Sequence, residues 1–241
     1  MINTVDKSEI DTFAKSSAHW WDPHGPHAPL HKLNPTRLQY IRDQISTHFS
    51  RNPTDSRPLK DLSILDVGCG GGLLCEPLAR LGANVTGLDA DAQAVQVAKN
   101  HAKGSKLPIN YVNDAVENFQ ETTFDIILVV EIVEHVADLP SFLKICTALL
   151  KKNGLLIFST LNRTQLSYLL GIVAAENILG WVPKGTHDWQ KFVTPAEMDG
   201  YLKDCDMKVR NLQGMSYALT KDRWELTNDL NINYIGVATK I

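Results

Sequence analysis

Glycines crowd one short stretch of the chain, and acidic residues stand on both sides of it. The run Gly68 to Gly72 follows an apolar segment that contains Asp66, and a second apolar run ends at Asp89. Glycine has no side chain, so its backbone is able to approach a ligand closely. An acidic residue about 20 positions after such a loop is placed to accept hydrogen bonds from ribose hydroxyls. The spacing therefore predicts a nucleotide-type site that uses Gly68, Gly70 and Asp89.

The residues after the glycines indicate which class of nucleotide-type ligand the loop would bind. A dinucleotide fingerprint that starts at Gly68 needs glycine where the chain has Leu73, and this counts against NAD or FAD. A phosphate-binding P-loop needs Gly-Lys-Ser/Thr, whereas Gly72 is followed by two leucines. The remaining pattern, Asp66-x-Gly-x-Gly-x-Gly, resembles motif I of class I S-adenosylmethionine (SAM)-dependent methyltransferases. The alternative is a glycine-rich turn without a ligand.

A second group of chemically active side chains follows the apolar run 124–130. Glu131 and Glu134 are three positions apart, so one helical turn would place them on the same face, and His135 follows directly. Two carboxylates and an imidazole suit a divalent ion with open positions. The imidazole alone suits a general base. The structural alternative is that Glu134-His135 simply begins a helix, with the glutamate at the positive end of its dipole.

Composition limits the class of protein. The chain has 241 residues and 44% hydrophobic residues, enough for one large α/β domain. A net charge of −3 argues against a nucleic-acid partner, and the four cysteines form no C-x-x-C pair that would indicate zinc or a disulfide framework. The N-terminus has neither a signal-peptide nor a transit-peptide pattern, and no stretch reaches the ~20 apolar residues of a membrane span. A reducing compartment is the simplest interpretation.

Apolar runs of strand length alternate with helical patterns in the second part of the chain. Such alternation predicts a doubly wound sheet, and continuous apolar strands are typical of buried parallel sheets. Ligands then bind at the carboxyl ends of the strands, where Asp66, Asp89, Asp114 and Glu131 fall. The tail should add a hairpin-like pair of strands. We therefore expect an α/β fold with a doubly wound, seven-stranded, mostly parallel sheet of the Rossmann-like methyltransferase type. The predicted strands are 62–67, 85–88, 109–112, 124–130, 155–159, 207–212 and 232–241.

Segments before and after this alternation have their own patterns. Residues 1–60 are predicted to form N-terminal helices and a linker, with a helix over 7–21 and another that begins at Asn34-Pro35. The proline- and histidine-rich stretch between them reads as a loop with solvated histidines rather than a metal site. Residues 61–241 are predicted to form the main α/β domain, with an insertion at about 162–195. Its apolar helix, 166–175, is either buried, a flap over an apolar substrate, or an element in the membrane interface.

Several specific motifs carry a family resemblance over nearly the whole chain. The motifs are Trp20-Trp21, Pro29-Leu30-His31, Asn34-Pro35-Thr36-Arg37, the glycine loop, Glu131-Ile132-Val133-Glu134-His135-Val136, Ser159 to Arg163, and Pro183-Lys184-Gly185-Thr186-His187-Asp188. With these motifs the chain resembles the ubiquinone-biosynthesis O-methyltransferases of the UbiG type. Two mild departures are the long linker at 50–60 and Val133, where the family often has leucine.

The resemblance implies roles for individual residues toward SAM. Arg37 would reach its carboxylate, Gly68 and Gly70 its methionine portion, and Asp89 its ribose. Asp114 and Ala115 would flank adenine, and Val130 would line the same pocket. From the residues alone, Arg37 reads as a surface helix charge, and Asp114 reads equally well as a turn former.

The resemblance also implies the reaction, its metal and its place in the cell. We expect methyl transfer from SAM to a hydroxyl of a polyprenylated phenol or catechol, with Glu131 and His135 catalytic. A Mg²⁺-type ion would bind Glu131, Glu134 and His135, and Lys184 and His187 are further candidates on the substrate flap. The protein would be cytoplasmic and peripheral to the inner face of a bacterial plasma membrane, beside other ubiquinone-biosynthesis enzymes. The rivals are a methyltransferase of another small phenol and a non-catalytic SAM-binding protein.

Overall fold

A single mixed sheet organises the protein, which is described here as a computed structural model. The structure describes residues 3–119, 122–169 and 188–241, and within these ranges eight strands form the sheet in the order β3-β2-β1-β4-β5-β8-β6-β7. The strands are β1 (Ser63–Val67), β2 (Asn84–Asp89), β3 (Asn110–Asn113), β4 (Phe124–Val130), β5 (Leu150–Leu161), β6 (Met207–Ala218), β7 (Arg223–Thr227) and β8 (Asn233–Lys240).

Helices join and cover these strands. In the described residues the α-helices are α1 (Lys7–Ala14), α2 (Ala28–His48), α3 (Cys75–Arg80), α4 (Ala92–Ser105), α5 (Leu139–Ala148), α6 (Gln165–Ser167) and α7 (Pro195–Lys203). Short 3-10 helices lie at Ser17–His19, Val116–Asn118, Val133–His135, Trp189–Lys191 and Leu219–Lys221. No helix of the described ranges combines the length and the apolar character that crossing a membrane requires.

The predicted α/β class and doubly wound, mostly parallel sheet are confirmed. Strands β1 to β5 are parallel to one another, whereas β8 pairs antiparallel with both β5 and β6. The sequence predicted seven strands, and the additional strand is β7, which pairs antiparallel with the end of β6. Its sequence, Arg-Trp-Glu-Leu-Thr, has the polar content of an edge strand, so it lacks the continuous apolar run that marked the others.

The strands are apolar on both faces because helices cover both faces of the sheet. Side chains of a strand point alternately to opposite faces. Along β4, Ile126 and Leu128 belong to one hydrophobic cluster, and Ile127 and Val129 belong to the other. The first cluster includes residues of α2, α3 and α4, and the second includes residues of α5 and α7. Strand β4 is therefore packed between two hydrophobic clusters, and this packing fixes the position of its carboxyl end.

Two helix predictions near the N-terminus were wrong. The helix predicted over 7–21 ends at Ala14 and is followed by the short 3-10 helix. The helix predicted to begin at Asn34-Pro35 is α2, which begins at Ala28 and contains Pro35 in its interior. Pro29 in the first turn gives the same start signal earlier, and the packing of α2 against the sheet outweighs the lost backbone donor of Pro35. Most of the apolar helix predicted at 166–175 lies outside the described residues.

A stability prediction follows from the backbone of the glycine loop. Gly72 has φ +86°, and a Cβ atom there would lie 2.2 Å from Tyr111 Oη. Substitution of Gly72 by alanine should lower the free energy of unfolding by about 2 kcal/mol or more, because left-handed strain of ~1–2 kcal/mol adds to a steric overlap. Urea denaturation measures the change.

The control is Gly104→Ala in helix α4, where a Cβ atom would meet nothing within 4 Å. Alanine should stabilise that helix by roughly 0.5–1 kcal/mol. Equal effects of the two substitutions would contradict the assignment of strain to Gly72.

Candidate functional site

A cavity opens at the carboxyl ends of β1, β2 and β4, where the sequence placed the site. Parallel strands end at the same edge of a sheet, so loops that are distant in sequence meet there. Seven of the residues predicted from the sequence line this cavity, namely Gly68, Gly70, Asp89, Asp114, Ala115, Glu131 and His135. The predicted cofactor loop and the predicted catalytic residues therefore share one cavity.

The glycine loop is tied to the end of β2 by one carboxylate. Gly68 and Gly70 have φ +74° and +51°, a conformation that glycine adopts without strain. The Gly70 N–H donates to Asp89 Oδ2 at 2.7 Å, and the Asp91 N–H donates to Asp89 Oδ1 at 2.8 Å. Burial raises the pKa of Asp89, while these two donors oppose that shift. The carboxylate keeps lone pairs for further donors, as a ribose-binding role requires.

Asp114 performs the turn-forming role that was one of its two interpretations. Its Oδ1 accepts from the Ala115 N–H at 2.8 Å and from Asn118 Nδ2 at 2.9 Å. Asp114 and Ala115 also line the cavity, next to Val116 at the start of a 3-10 helix. The turn thus presents both residues to the cavity, and the adenine role stays a prediction.

Arg37 is a buried residue rather than a surface helix charge. Its side chain is 3% exposed, and Nη2 lies 2.9 Å from Glu131 Oε1. The contact is ionic without hydrogen-bond alignment, and Nε has no partner among the described residues. Ser159 Oγ donates to the same Glu131 oxygen at 2.6 Å. Arg37 itself is outside the cavity lining and reaches the site through Glu131.

Glu131 is held in an uncommon backbone conformation. Its φ is +54°, a left-handed value that costs energy for a residue with a Cβ atom. Its N–H donates to the Ser159 carbonyl at 2.9 Å, which continues the pairing of β4 with β5. Backbone and carboxylate are therefore both anchored to Ser159, and this fixes Glu131 at the cavity wall.

Glu134 and His135 point to different parts of the protein. Glu134 is 3% exposed, accepts from Thr160 Oγ1 at 2.9 Å, and lines a second cavity with Arg163 and Lys191. Burial raises the pKa of Glu134 above its usual value. His135 Nδ1 lies 3.0 Å from Glu9 Oε2. Burial lowers the pKa of His135, but the Glu9 hydrogen bond and the nearby carboxylates outweigh this, so the net shift is upward.

This arrangement does not fit a shared metal ion. Glu131 is bound by Arg37 and Ser159, and Glu134 is turned toward Thr160. In the part of the chain that the structure describes, no group of three or more histidine, cysteine, aspartate or glutamate side chains is placed to hold a metal. The divalent ion expected at Glu131, Glu134 and His135 therefore has no support in the geometry.

Val130 is the one predicted residue, among those that the structure describes near the site, that is packed in the hydrophobic core without lining the cavity. It is 8% exposed and belongs to the core beneath the site. Lys184 and His187, predicted on the substrate flap, lie outside the described residues.

The roof of the cavity comes from the N-terminal segment, which the sequence did not indicate. Glu9, Ile10 and Phe13 of α1 line the cavity, and Trp20 joins them. Lys191, which is distant in sequence, forms ion pairs with this segment. Its Nζ lies 2.8 Å from Glu9 Oε1 and 3.1 Å from Asp6 Oδ2. The helical spacing of Ile10 and Phe13 places both on one face of α1 but does not reveal which part of the protein that face contacts.

Comparison with known proteins gives a consistent family. A family model described as "Methyltransferase domain" matches residues 65–158. A ubiquinone biosynthesis O-methyltransferase of Bradyrhizobium diazoefficiens is 49% identical over 98% of this chain and 94% of its own length. One of Pelagibacter ubique is 46% identical over 97% of this chain and 98% of its own length.

Solved structures support the fold. Magnesium protoporphyrin IX methyltransferase from Synechocystis PCC 6803 with bound SAH aligns with TM-score 0.65 and 18% identity, over 96% of this chain and 94% of its own. The same protein with bound SAM aligns with TM-score 0.64 and 16% identity over 100% of both chains. At this identity the likeness shows the fold, which in those structures holds SAM or SAH.

Asp66, the acidic residue of the glycine motif, is buried below the cavity floor. It is 3% exposed, and the Cys75 thiol donates to Oδ2 at 3.2 Å. Burial raises the pKa of Asp66 to about 7. The unfolded value is about 3.9, so the folded protein binds more protons between these pH values, and stability falls as pH rises through this window.

We therefore expect Asp66→Asn to remove a pH dependence. Wild-type stability should fall by about 1.4 kcal/mol per pH unit from this group up to pH 7 and then level off. Urea unfolding at pH 5 to 8 should show the variant gaining on wild type until about pH 7. Asp125→Asn is the control, because the Ser63 and Lys151 contacts lower the pKa of Asp125 in spite of burial. Its stability difference from wild type should stay constant over the same range, and a constant difference for Asp66→Asn would contradict the prediction.

Proposed function

This chain belongs to the ubiquinone biosynthesis O-methyltransferases, and on that premise we propose that it transfers a methyl group from SAM to a hydroxyl of a polyprenylated phenol or catechol. The supporting observation is one cavity that joins Asp89 of the cofactor loop to Glu131 and His135. The family name supplies the substrate class, and the cavity supplies a place where donor and acceptor would meet.

The reaction places two demands on the protein. A phenolic oxygen attacks the methyl carbon in line, the carbon–sulfur bond breaks, and the sulfonium becomes a neutral thioether. Holding the two reactants in line can supply ~7–11 kcal/mol in well-oriented cases. The phenol must also lose a proton, which for a pKa of about 10 costs about 4 kcal/mol at pH 7.

We assign His135 as the general base that accepts the phenolic proton. It lines the cavity, and Glu9 at its Nδ1 supports the positive charge that the imidazole gains on accepting a proton. Glu131 stands beside it on the cavity wall as a fixed negative charge. General base catalysis of this kind contributes about 10²–10⁴-fold to a rate.

The other predicted residues would hold SAM. Asp89 would accept from the ribose hydroxyls, and Gly68 would allow the methionine portion to approach the backbone. Asp114 and Ala115 would lie against adenine, on a turn that is already formed. Arg37 would attract the cofactor carboxylate from behind Glu131.

His135→Asn tests the catalytic assignment. Asparagine keeps a donor toward Glu9 but is no base, so kcat should fall by about 100-fold or more while SAH affinity stays within about threefold. Methyl transfer to a short-chain demethylubiquinol analogue is measured with radiolabelled SAM, and SAH binding is measured by calorimetry. The control is His48→Asn, a histidine on α2 that contacts the Asn153 carbonyl and should leave both unchanged.

Other results would select a rival. Unchanged kcat in His135→Asn would remove the base role. Turnover only with a soluble phenol would favour a different small-molecule methyltransferase, and SAH binding without any turnover would favour a regulator.

Turnover in EDTA should persist, since protein groups already bind Glu131 and Glu134. Loss of turnover in EDTA that Mg²⁺ restores would instead support the metal implied by the family resemblance.

We also propose peripheral membrane contact where the predicted insertion begins. Leu166, Tyr168 and Leu169 are 41%, 48% and 53% exposed, which is unusual for three large apolar side chains so close together. A polyprenyl tail partitions into a bilayer, so an enzyme that meets this substrate gains by binding the membrane surface at the same place.

Leu166→Gln with Leu169→Gln should therefore weaken binding to anionic liposomes several-fold, since each change removes apolar surface from the contact. Liposome sedimentation measures binding, and SAH affinity should not change. Leu219→Gln is the matched control, a leucine that is 82% exposed near β7. Equal liposome binding by the double variant and wild type would remove the membrane proposal.

A further inference from the structure

Trp20 lies flat on the glycine loop. A Cβ atom at Gly70 would come within 2.5 Å of Trp20 Cζ2, and one at Gly71 within 2.4 Å of Trp20 Cβ. The other face of the indole is stacked on His27, with ring centroids 3.9 Å apart and planes 4° from parallel. The indole is thus enclosed between the loop backbone and an imidazole, and it forms part of the cavity wall.

Neighbouring contacts hold this segment firmly on the loop. Trp21 Nε1 donates to the Gly71 carbonyl at 2.8 Å, and its ring is stacked on His101 with centroids 3.5 Å apart. His31 Nε2 lies 2.9 Å from the Trp20 carbonyl oxygen, and Ser17 Oγ donates to Asp91 Oδ2 at 2.5 Å. Because these contacts fix the backbone on both sides, the Trp20 ring is oriented before any ligand arrives. Such preorganisation lowers the cost of binding.

The indole N–H of Trp20 is the exception in this ordered segment. Trp20 Nε1 is buried and has no hydrogen-bond partner among the residues that the structure describes. By contrast, Trp21 donates to Gly71 and Trp189 donates to the Thr164 carbonyl at 2.9 Å. A buried donor without an acceptor is costly, and in native proteins it calls for an explanation such as a ligand.

We propose that the Trp20 indole N–H donates a hydrogen bond to an oxygen of bound SAM. The inference rests on the proposed SAM binding and adds a residue to it. Trp20 packs on Gly70, whose N–H is held by Asp89, so the donor belongs to the cofactor end of the cavity. SAM carries two kinds of acceptor oxygen, the ribose hydroxyls and the carboxylate, and both are chemically suited to an N–H donor.

The function of Trp20 is then to position the cofactor. Its ring closes the cavity over the glycine loop, and its N–H fixes the cofactor against that loop. Trp21 donates its indole N–H to the Gly71 carbonyl and does not line the cavity, so the two adjacent tryptophans differ in function although the sequence gives them as a pair.

Trp20→Phe tests the donor, because phenylalanine keeps an aromatic ring and lacks the N–H. SAH affinity measured by calorimetry should weaken about tenfold, which corresponds to about 1.4 kcal/mol. Trp224→Phe on strand β7 is the matched control and should bind SAH like wild type. Methylthioadenosine has the ribose but no carboxylate. Equal weakening for both ligands assigns the bond to ribose, and weakening for SAH alone assigns it to the carboxylate.

A second measurement uses the intact protein and does not depend on the folding of a variant. In ¹⁵N-labelled wild type, the indole N–H resonance of Trp20 should move downfield on addition of SAH and become protected from solvent exchange. Its assignment comes from NOEs between the indole N–H and neighbouring protons in the wild-type protein.

An unmoved Trp20 resonance in SAH-saturated protein would overturn the inference, as would SAH affinity in a folded Trp20→Phe variant within twofold of wild type. Both results leave SAM binding intact. If wild-type protein does not bind SAH at all, it is the proposed function that fails, and the two failures are distinguishable.

Discussion

The hydrogen bond from the Gly70 N–H to the Asp89 carboxylate is the constraint on which the site depends. It joins the loop after β1 to the end of β2, while the Gly68 and Cys69 N–H groups donate to the Leu88 carbonyl at 2.8 and 3.1 Å. Only a glycine-rich loop can follow this path, because the backbone turns through positive φ at three of its glycines. The absence of side chains then lets Trp20 lie directly on the loop, which gives the cavity its cover.

The N-terminal segment and the end of the predicted insertion meet beside the cavity. Lys191 lies near the end of that insertion and pairs with Glu9 of α1 and with Asp6, which caps α1. Glu9 in turn contacts His135, so one helix connects the base that we assign with a residue of the predicted insertion. Each of these surface ion pairs is weak alone, but together they hold α1 in one position over the cavity. The cavity is therefore built by parts of the chain that lie far apart in sequence.

Sequence patterns predicted the residues that lie at strand ends and failed where contact depends on three-dimensional packing. Asp89 and Glu131 were predicted because a parallel sheet brings strand ends together whatever the side chains do. The start of α2 was misplaced because Pro29 and Pro35 give the same local signal. The metal expectation rested on the spacing of Glu131 and Glu134, and spacing does not reveal that Arg37, Ser159 and Thr160 bind those carboxylates.

Arg37 is buried outside the cavity lining, and its charge is paired with Glu131. A buried charge needs a partner, and loss of one member of such a pair is costly. Glu131 is held by Ser159 as well, so the pair is fixed to β5 and does not collapse into the cavity. The guanidinium has five donors, and Nε is unpaired among the described residues. The left-handed backbone of Glu131 is then the cost of holding its carboxylate against Arg37 at the cavity wall.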